Sequence, residues 1–342
     1  MNKLKVCVIG GGSWGTALAK VLSEKGIRVF LLVRRKDLAD NINFRRENPD
    51  YLPGIRLPQD ISASINAYEC FEGATLVIWT IPSHALRSFF ESLSREEYEL
   101  LKSIEHHLLG IKGIDLETGK FPSQILRERL GERSNIYILG GPSFAKEVAR
   151  GLPTAVVVSA FGNLSTLKWV QETLAHRYFR VYRNDDPVGV ECAGALKNVI
   201  AIAGGICDGL ELGANARASL ITRGLLELIR VGDVFGAKKE TFYGLAGLGD
   251  LVLTCTSSLS RNYRLGFLLA KGYSLESALK EIKEVAEGYR TAKVVKEISE
   301  KFNLTLPICS EVYNILYEKT SVIEALERLL RRELKEEFWE IR

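Results

Sequence analysis

Paired or clustered cysteines are missing from this sequence. Its six cysteines are scattered along the chain, and none forms a Cys-x-x-Cys pair. This spacing excludes a zinc-ribbon type of metal cluster, so we expect no metal site. It is typical of reduced, buried thiols in a cytosolic protein.

A strong charge excess and a signal-peptide pattern are not seen either. Lys+Arg 46 against Asp+Glu 42 leaves a net charge of +4, which does not indicate a nucleic-acid partner but is compatible with an anionic small molecule. The N-terminus lacks a signal-peptide pattern. The longest small-apolar stretch, Val188 to Cys207, contains Glu191 and Lys197, so we expect no membrane span and a cytoplasmic location.

The first half of the chain alternates short apolar runs with helical patterns. This alternation predicts an α/β domain with a mostly parallel, doubly wound sheet. The segment Asn48–Pro58 contains three prolines and predicts an irregular surface loop. The predicted strands are Val6–Ile9, Val29–Val33, Leu76–Ile81, His107–Ile111, Ile136–Leu139 and Ala155–Ser159, and the predicted helices are Gly15–Lys25, Leu38–Arg46, Ala85–Leu93, Ser123–Leu130 and Leu164–Leu174.

Helical periodicity dominates after the turn at Asp186–Pro187. We therefore expect two domains, residues 1–187 and an all-α domain of residues 188–342. The mixed-charge run from Glu324 to Arg342 predicts an amphipathic packing helix. Glycine-rich joints between helices are expected at Gly204–Gly205, Gly209–Gly213 and Gly244–Gly249.

The segment GGGSWG, residues 10–15, directly follows the first predicted strand and opens a helix. Gly10 permits the tight turn, Gly12 lets a pyrophosphate approach the backbone, and Gly15 lets the helix pack closely on the sheet. The helix N-terminus then presents free N–H groups to the phosphates. This context favours a Rossmann-type dinucleotide-binding domain.

The end of the second predicted strand indicates which dinucleotide is preferred. A site for NAD usually has an acidic residue there, whereas this chain has Arg34 and Arg35. Two guanidinium groups can hold a 2′-phosphate. The sequence therefore predicts that NADP(H) is preferred and that NAD(H) is possible.

Polar residues follow two further predicted strands, at the edge where parallel α/β sheets bind ligands. Lys112 comes after the run ending at Ile111, and residues 140–145 (GGPSFA) come after Ile136–Leu139. Each segment alone is equally compatible with a capped turn.

The predicted all-α domain contains one chemically unusual residue, Lys197. It lies in a helix of small apolar residues, where an ammonium is costly unless it is paired, so it is either an acid/base group or a surface residue. Asp250 follows a glycine-rich turn and could simply be a helix N-cap. The cluster Ser260-Arg261-Asn262 suits a phosphate ester but could equally be another helix start.

Seven segments taken together resemble the bacterial NAD(P)-dependent glycerol-3-phosphate dehydrogenase family. They occur in order between residue 10 and about residue 295, so the resemblance covers most of the chain. The segments are GGGSWGTALA, VIWTIPSHALR, IKGI, LGGPSFAKEVARGLPTAVVV, ECAGALKNVIAIAGGICDGLELGANARASLITRG, GLAGLGDLVLTCTSSLSRNYRLG and VAEGYRTAKVV.

The resemblance implies a role for individual residues. Lys197 would be the general acid/base, Asp250 would orient it, and Lys112 would contact the substrate near the nicotinamide. Cofactor contacts are implied for Ser13, Trp14, Lys112, Ala145, Arg261, Val285 and Glu287. Substrate contacts are implied for Lys112, Gly141, Ser143, Lys197, Asp250, Ser260, Arg261 and Asn262.

The implied reaction is hydride transfer from NAD(P)H to C2 of dihydroxyacetone phosphate. It gives sn-glycerol 3-phosphate for glycerophospholipid synthesis, and a homodimer is usual in such a family. Two alternatives stay open on the residues alone: a β-hydroxyacid dehydrogenase of similar architecture, and a non-enzymatic dinucleotide sensor.

Overall fold

The computed structural model describes residues 4–131, 133–162, 164–282 and 286–337. Backbone contacts divide the chain into two compact units. The first comprises the chain up to Asp115 together with Lys120–Val190, and the second comprises Leu116–Gly119 with the chain from Glu191 onwards. Within the described residues, the first unit holds the β-sheet and the second is helical.

Eight strands form a single sheet in the first unit. Their order across the sheet is β3-β2-β1-β4-β5-β6-β7-β8, and every neighbouring pair is parallel except β6 with β7. The predicted mostly parallel α/β sheet is therefore confirmed. The strands are β1 Lys5–Ile9, β2 Arg28–Leu32, β3 Ile61–Ser64, β4 Leu76–Trp79, β5 His106–Leu109, β6 Asn135–Gly140, β7 Thr154–Phe161 and β8 Phe179–Asn184.

The two edge strands, β3 and β8, were not predicted. Both alternate buried and more exposed residues, whereas most residues of the central strands are buried, whichever face they lie on. A strand with helices on both faces is apolar throughout, but an edge strand keeps one polar face. A search for apolar runs therefore finds the middle of such a sheet and misses its edges.

The helices of the first unit connect these strands. Neither α3 (Ala67–Phe71) nor α5 (Arg95–Ser103) was predicted, although α5 carries a capping box in which Ser94 and Glu97 cap each other's backbone N–H groups. The predicted helix Leu38–Arg46 is real, but its second half, Asn41–Arg45, is a turn of π-helix. The helices are α1 Ser13–Ser23, α2 Lys36–Asp40, α3 Ala67–Phe71, α4 Leu86–Ser92, α5 Arg95–Ser103, α6 Pro122–Leu130, α7 Ala145–Ala149 and α8 Leu167–Leu174.

The second unit is built around the long apolar helix α9, which begins at Pro187. By length and composition α9 could cross a membrane, but 94% of its most apolar window is buried inside the protein, as in the core helix of a globular unit. The remaining helices are α10 Gly213–Val234, α11 Lys239–Tyr243, α12 Asp250–Cys255, α13 Arg261–Ala270, α14 Leu275–Ile282, α15 Glu287–Lys301, α16 Pro307–Tyr317 and α17 Val322–Leu330, and α9 itself is Pro187–Gly209.

The expected joint at Gly204–Gly205 is wrong, because α9 runs through it without a break. These glycines serve helix packing instead. A Cβ at Gly204 would lie 2.9 Å from the carbonyl oxygen of Cys255, and one at Gly205 would lie 1.9 Å from that of Tyr263. The small residues thus let α12 and α13 approach the backbone of α9.

The C-terminal helix is shorter than the predicted run from Glu324 to Arg342. It ends at Leu330, and residues 331–337 are all exposed. Mixed charge gives these residues no apolar face to bury, and tertiary burial supplies most of a helix's stability. The final part of that prediction, residues 338–342, lies outside the described residues.

Candidate active site

The glycine-rich turn between β1 and α1 has the geometry that a dinucleotide site requires. Gly10 has a φ of +114°, a value that favours glycine, and a Cβ there would lie 2.9 Å from Oγ1 of Thr80. A Cβ on Gly15 would lie 2.0 Å from the carbonyl oxygen of Gly10. Both positions therefore require glycine for packing within the unit.

Gly12 differs from these two glycines, because a Cβ there would meet no atom within 4 Å. It is also the N-cap residue of α1, and because it has no side chain it cannot cap the first N–H groups of that helix itself. Open space in front of free N–H groups at a helix N-terminus suits a pyrophosphate. The chain's residues here fit a bound dinucleotide.

Trp14 packs inside the first unit. Its ring centroid lies 6.5 Å from that of Phe179, and its buried indole N–H has no hydrogen-bond partner among the described residues. Gly110, just after β5, makes room for the indole, because a Cβ there would lie 2.8 Å from Nε1. Because the indole is packed in this way, we expect Trp14 to contact a phosphate only through its backbone.

Asn48 and Tyr51 secure the turn, and sequence reasoning missed both. The fully buried amide of Asn48 donates to the carbonyl oxygen of Gly11 at 2.9 Å and to Oγ1 of Thr16 at 2.8 Å. The hydroxyl of Ser13 donates to the carbonyl oxygen of Tyr51 at 3.0 Å. The loop is irregular as predicted, but it is anchored to the turn rather than lying loosely on the surface.

The two arginines after β2 have different surroundings. Arg34 is exposed and has no ion-pair partner within the described residues, whereas Arg35 is paired with Asp50 and, through Nε at 3.6 Å, with Asp37. The hydrogen bond from Arg35 to Asp50 raises the pKa of the guanidinium. The guanidinium of Arg35 therefore stays charged.

Lys112 and the GGPSFA segment meet at the carboxyl ends of β5 and β6. The Nζ of Lys112 donates to the carbonyl oxygen of Gly141 at 3.1 Å, and the hydroxyl of Ser143 donates to the same oxygen at 2.9 Å. Ala145 begins helix α7 two residues further on. The structure therefore brings together predicted residues that lie 29 positions apart in the sequence.

The second unit contains a buried ion pair between Lys197 and Asp250. Nζ of Lys197 donates to Oδ1 of Asp250 and to Oγ1 of Thr254, both at 2.6 Å. Lys197 is 5% exposed and Asp250 is 1% exposed. An ammonium at this depth requires such partners, so Lys197 is not a surface residue.

Thr254 is a further residue that the sequence reasoning missed. It lies one helical turn after Asp250, and its hydroxyl donates to the carbonyl oxygen of Asp250 at 2.6 Å while accepting from Lys197. The spacing Asp-x-x-x-Thr on a predicted helix was the signal that could have found it. Asp250 is indeed the first residue of α12, as predicted, but its carboxylate serves the ion pair.

Cys255 lies next to this pair on α12, and its thiol is not a nucleophile. Burial raises its pKa to about 12, with a further contribution from Asp250 and a partly opposing one from Lys197. The side chain is therefore a neutral thiol at physiological pH.

The Ser260-Arg261-Asn262 cluster surrounds the start of α13. Ser260 is the N-cap and accepts from the backbone N–H of Tyr263 at 3.2 Å, and Arg261 is exposed. The amide of Asn262 donates to Oδ1 of Asn198 at 2.9 Å and accepts from the backbone N–H of Gly288 at 2.9 Å. Asn262 thus ties α13 to α9 and α15.

Two cofactor contacts were predicted near the start of α15. Glu287 is the first residue of that helix, directly before the Gly288 that Asn262 holds. Val285 lies outside the described residues. Asn198 was not predicted, and its adjacency to Lys197 on α9 links the ion pair to the Ser260-Arg261-Asn262 cluster through Asn262.

A dinucleotide-type turn on a parallel sheet and a helical unit with a buried lysine–carboxylate pair define a class, the NAD(P)-dependent dehydrogenases. Two family models match the chain. The N-terminal model of NAD-dependent glycerol-3-phosphate dehydrogenase matches residues 5–164, and the C-terminal model of the same family matches residues 186–327. The chain belongs to this family, and the resemblance stated from its motifs is confirmed.

Individual relatives agree with the family models. A glycerol-3-phosphate dehydrogenase (NAD(P)+) of Carboxydothermus hydrogenoformans is 43% identical over 338 residues, covering 98% of this chain and 99% of the relative. One of the same name from Moorella thermoacetica is 44% identical over 330 residues, 96% of each. The crystal structure of glycerol-3-phosphate dehydrogenase from Coxiella burnetii is similar with a TM-score of 0.90 at 39% identity, covering 96% of this chain and 99% of that one.

Proposed function

We propose that this chain is a glycerol-3-phosphate dehydrogenase that interconverts dihydroxyacetone phosphate and sn-glycerol 3-phosphate. One observation carries the proposal: the buried pair of Lys197 and Asp250, in a chain whose relatives bear the name of this activity. The relatives' names also support the use of NAD(P).

Lys197 acts on the oxygen at C2 of the substrate. When bound, NAD(P)H supplies the hydride. Reduction of the ketone places negative charge on its oxygen, and the ammonium of Lys197 stabilises that charge and donates the proton. In the oxidative direction the neutral amine of Lys197 accepts the proton of the hydroxyl.

Asp250 and Thr254 position the amine. Their two contacts of 2.6 Å fix the direction of Nζ, and the carboxylate keeps the buried ammonium charged before proton transfer. Because a fixed donor needs no reorganisation when charge develops, this arrangement favours the transition state.

The substrate phosphate is assigned to the start of α13. Arg261 supplies the charge, and the hydroxyl of Ser260 and the amide of Asn262 add neutral hydrogen bonds. Lys112, with Gly141 and Ser143, is assigned to the glycerol part near the nicotinamide. Gly141 and Ser143 support this assignment because they share a hydrogen-bonded cluster with Lys112.

The cofactor is assigned to the turn of Gly10, Gly12 and Gly15. The remaining contacts are those implied by the resemblance, made by Ser13, Trp14, Lys112, Ala145, Arg261, Val285 and Glu287. Arg34 and Arg35 are assigned to the 2′-phosphate of the adenosine ribose, which would make NADP(H) the preferred cofactor, with NAD(H) accepted.

The proposal extends to the setting of the enzyme. By resemblance it is a cytoplasmic homodimer without a nucleic-acid or membrane partner, and its product serves glycerophospholipid synthesis.

The decisive assay follows NADPH absorbance with dihydroxyacetone phosphate and, separately, with a β-keto acid. We expect oxidation only with the phosphorylated ketone. Oxidation with the β-keto acid alone would favour a β-hydroxyacid dehydrogenase. Nucleotide binding without oxidation of either substrate would favour a dinucleotide sensor.

A further inference from the structure

Asp50 forms an ion pair with one of the two arginines that follow β2. It accepts a hydrogen bond from Arg35, whereas the other acidic neighbour, Asp37, lies 3.6 Å from Nε of the same side chain. Arg34, one residue earlier, has no ion-pair partner within the described residues. One of the two guanidinium groups assigned to a 2′-phosphate is thus already bound to an anion of the protein itself.

The backbone around Asp50 is held to the phosphate turn on both sides. Asn48, two residues before it, is fully buried and bonded to Gly11 and Thr16. Tyr51, the next residue, accepts the hydroxyl of Ser13. Asp50 therefore lies on an anchored loop, and this loop holds its carboxylate close to Arg35.

We propose that Asp50 is a specificity-determining residue that competes with the 2′-phosphate of NADP(H) for Arg35. The inference rests on the proposed cofactor site. To bind the 2′-phosphate fully, Arg35 must break or weaken its ion pair with Asp50. The free energy lost from that ion pair reduces the net free energy gained by binding the 2′-phosphate. A ribose with a free 2′-hydroxyl needs no such exchange, so Asp50 narrows the preference for NADP(H) and keeps NAD(H) usable.

The test measures binding of cofactor fragments that lack nicotinamide. Adenosine 2′,5′-bisphosphate carries the 2′-phosphate and adenosine 5′-monophosphate does not, so calorimetric Kd values for both isolate the 2′ position from catalysis. The variants are Asp50→Asn, Arg35→Ala and the double variant. Asp60→Asn is the matched control, since it removes the same charge. The carboxylate of Asp60 interacts electrostatically with Arg46 rather than with Arg35.

For Asp50→Asn we expect the bisphosphate to bind about threefold to fivefold more tightly, the range of one exposed charge interaction. The monophosphate should bind as before, and Asp60→Asn should change neither. In the Arg35→Ala background the effect of Asp50→Asn should vanish.

Three results would overturn the inference alone: an unchanged bisphosphate Kd in Asp50→Asn, equal tightening of both nucleotides, or the same gain without Arg35. Failure of the parent protein to bind either nucleotide would instead overturn the proposed cofactor site. Unchanged thermal unfolding of each variant shows that the Kd values refer to folded protein.

Discussion

Nζ of Lys197 lies 2.6 Å from Oδ1 of Asp250, although the two residues are 53 positions apart in the sequence. The close packing of α12 on α9 brings them together. This packing requires glycine at position 204 of α9, because the backbone of α12 leaves no room there for a side chain. The position of the proposed acid/base group is thus set by helix packing as much as by its own side chain.

The first prediction concerns the carboxylate of this pair. In Asp250→Asn the ammonium of Lys197 loses its counter-charge, so kcat for reduction should fall by roughly one to two orders of magnitude. Because the amine then loses its proton more easily, the alkaline limb of the pH–rate profile should move to lower pH. Steady-state kinetics between pH 6 and 10 check both effects.

Asp250→Glu is the control for this variant, since it restores the charge and should recover part of kcat. A purely structural role would predict an unmoved pH profile with reduced thermal stability. That result would remove Asp250 from the mechanism.

The second prediction concerns the phosphate of the substrate. Arg261→Ala should raise KM for dihydroxyacetone phosphate by roughly tenfold to a hundredfold, since one charge-assisted contact contributes about 1.5–3 kcal/mol. Arg264→Ala, on the same helix, is a matched control and should leave KM nearly unchanged. An unchanged KM in Arg261→Ala would show that the phosphate binds elsewhere.

The third prediction concerns stability and pH through His107 on β5. Its Nδ1 accepts from the indole N–H of Trp79 at 3.3 Å, and Nε2 lies 2.8 Å from the carbonyl oxygen of Ile104. Both contacts suit a neutral ring, and burial lowers the pKa of His107 from 6.5 to about 4.

Between pH 6.5 and about 4, the imidazole of His107 therefore binds a proton in the unfolded chain but stays neutral in the folded chain. Stability from this group is fully present above pH 6.5 and falls by about 3 kcal/mol on acidification to pH 4. Urea unfolding of the parent and of His107→Gln across this range should show a shallower pH dependence in the variant. Parallel profiles would contradict the assignment.

Much of the fold is predictable from the sequence because its signals are local. Most residues of the central strands are buried and apolar, and the turn of Gly10, Gly12 and Gly15 has a fixed spacing. The edge strands β3 and β8 escape such reasoning because their polar faces resemble loops. The sequence predicts a joint at Gly204 and Gly205, because the reason for glycine inside a helix is visible only from the neighbouring helix that packs against it.

Local signals in the sequence predict some residues of the candidate site and miss others. Lys197 stands out as a charge in an apolar helix, but its partner Asp250 came from the family resemblance, since no rule of spacing joins positions so far apart. Asn48, Thr254 and Asn198 were missed because single polar residues gain meaning only from what they contact. Tertiary packing supplies those contacts, and one sequence does not encode them in a local pattern.

The most direct test of the account is the turnover of Lys197→Ala with NADPH and dihydroxyacetone phosphate. The proton donor would be lost, so kcat should fall by at least about a hundredfold. The Kd for NADPH, measured by its fluorescence, should stay within about twofold, because the glycine-rich turn is intact. Near-normal turnover in this variant would contradict the assignment of Lys197 as the acid/base group.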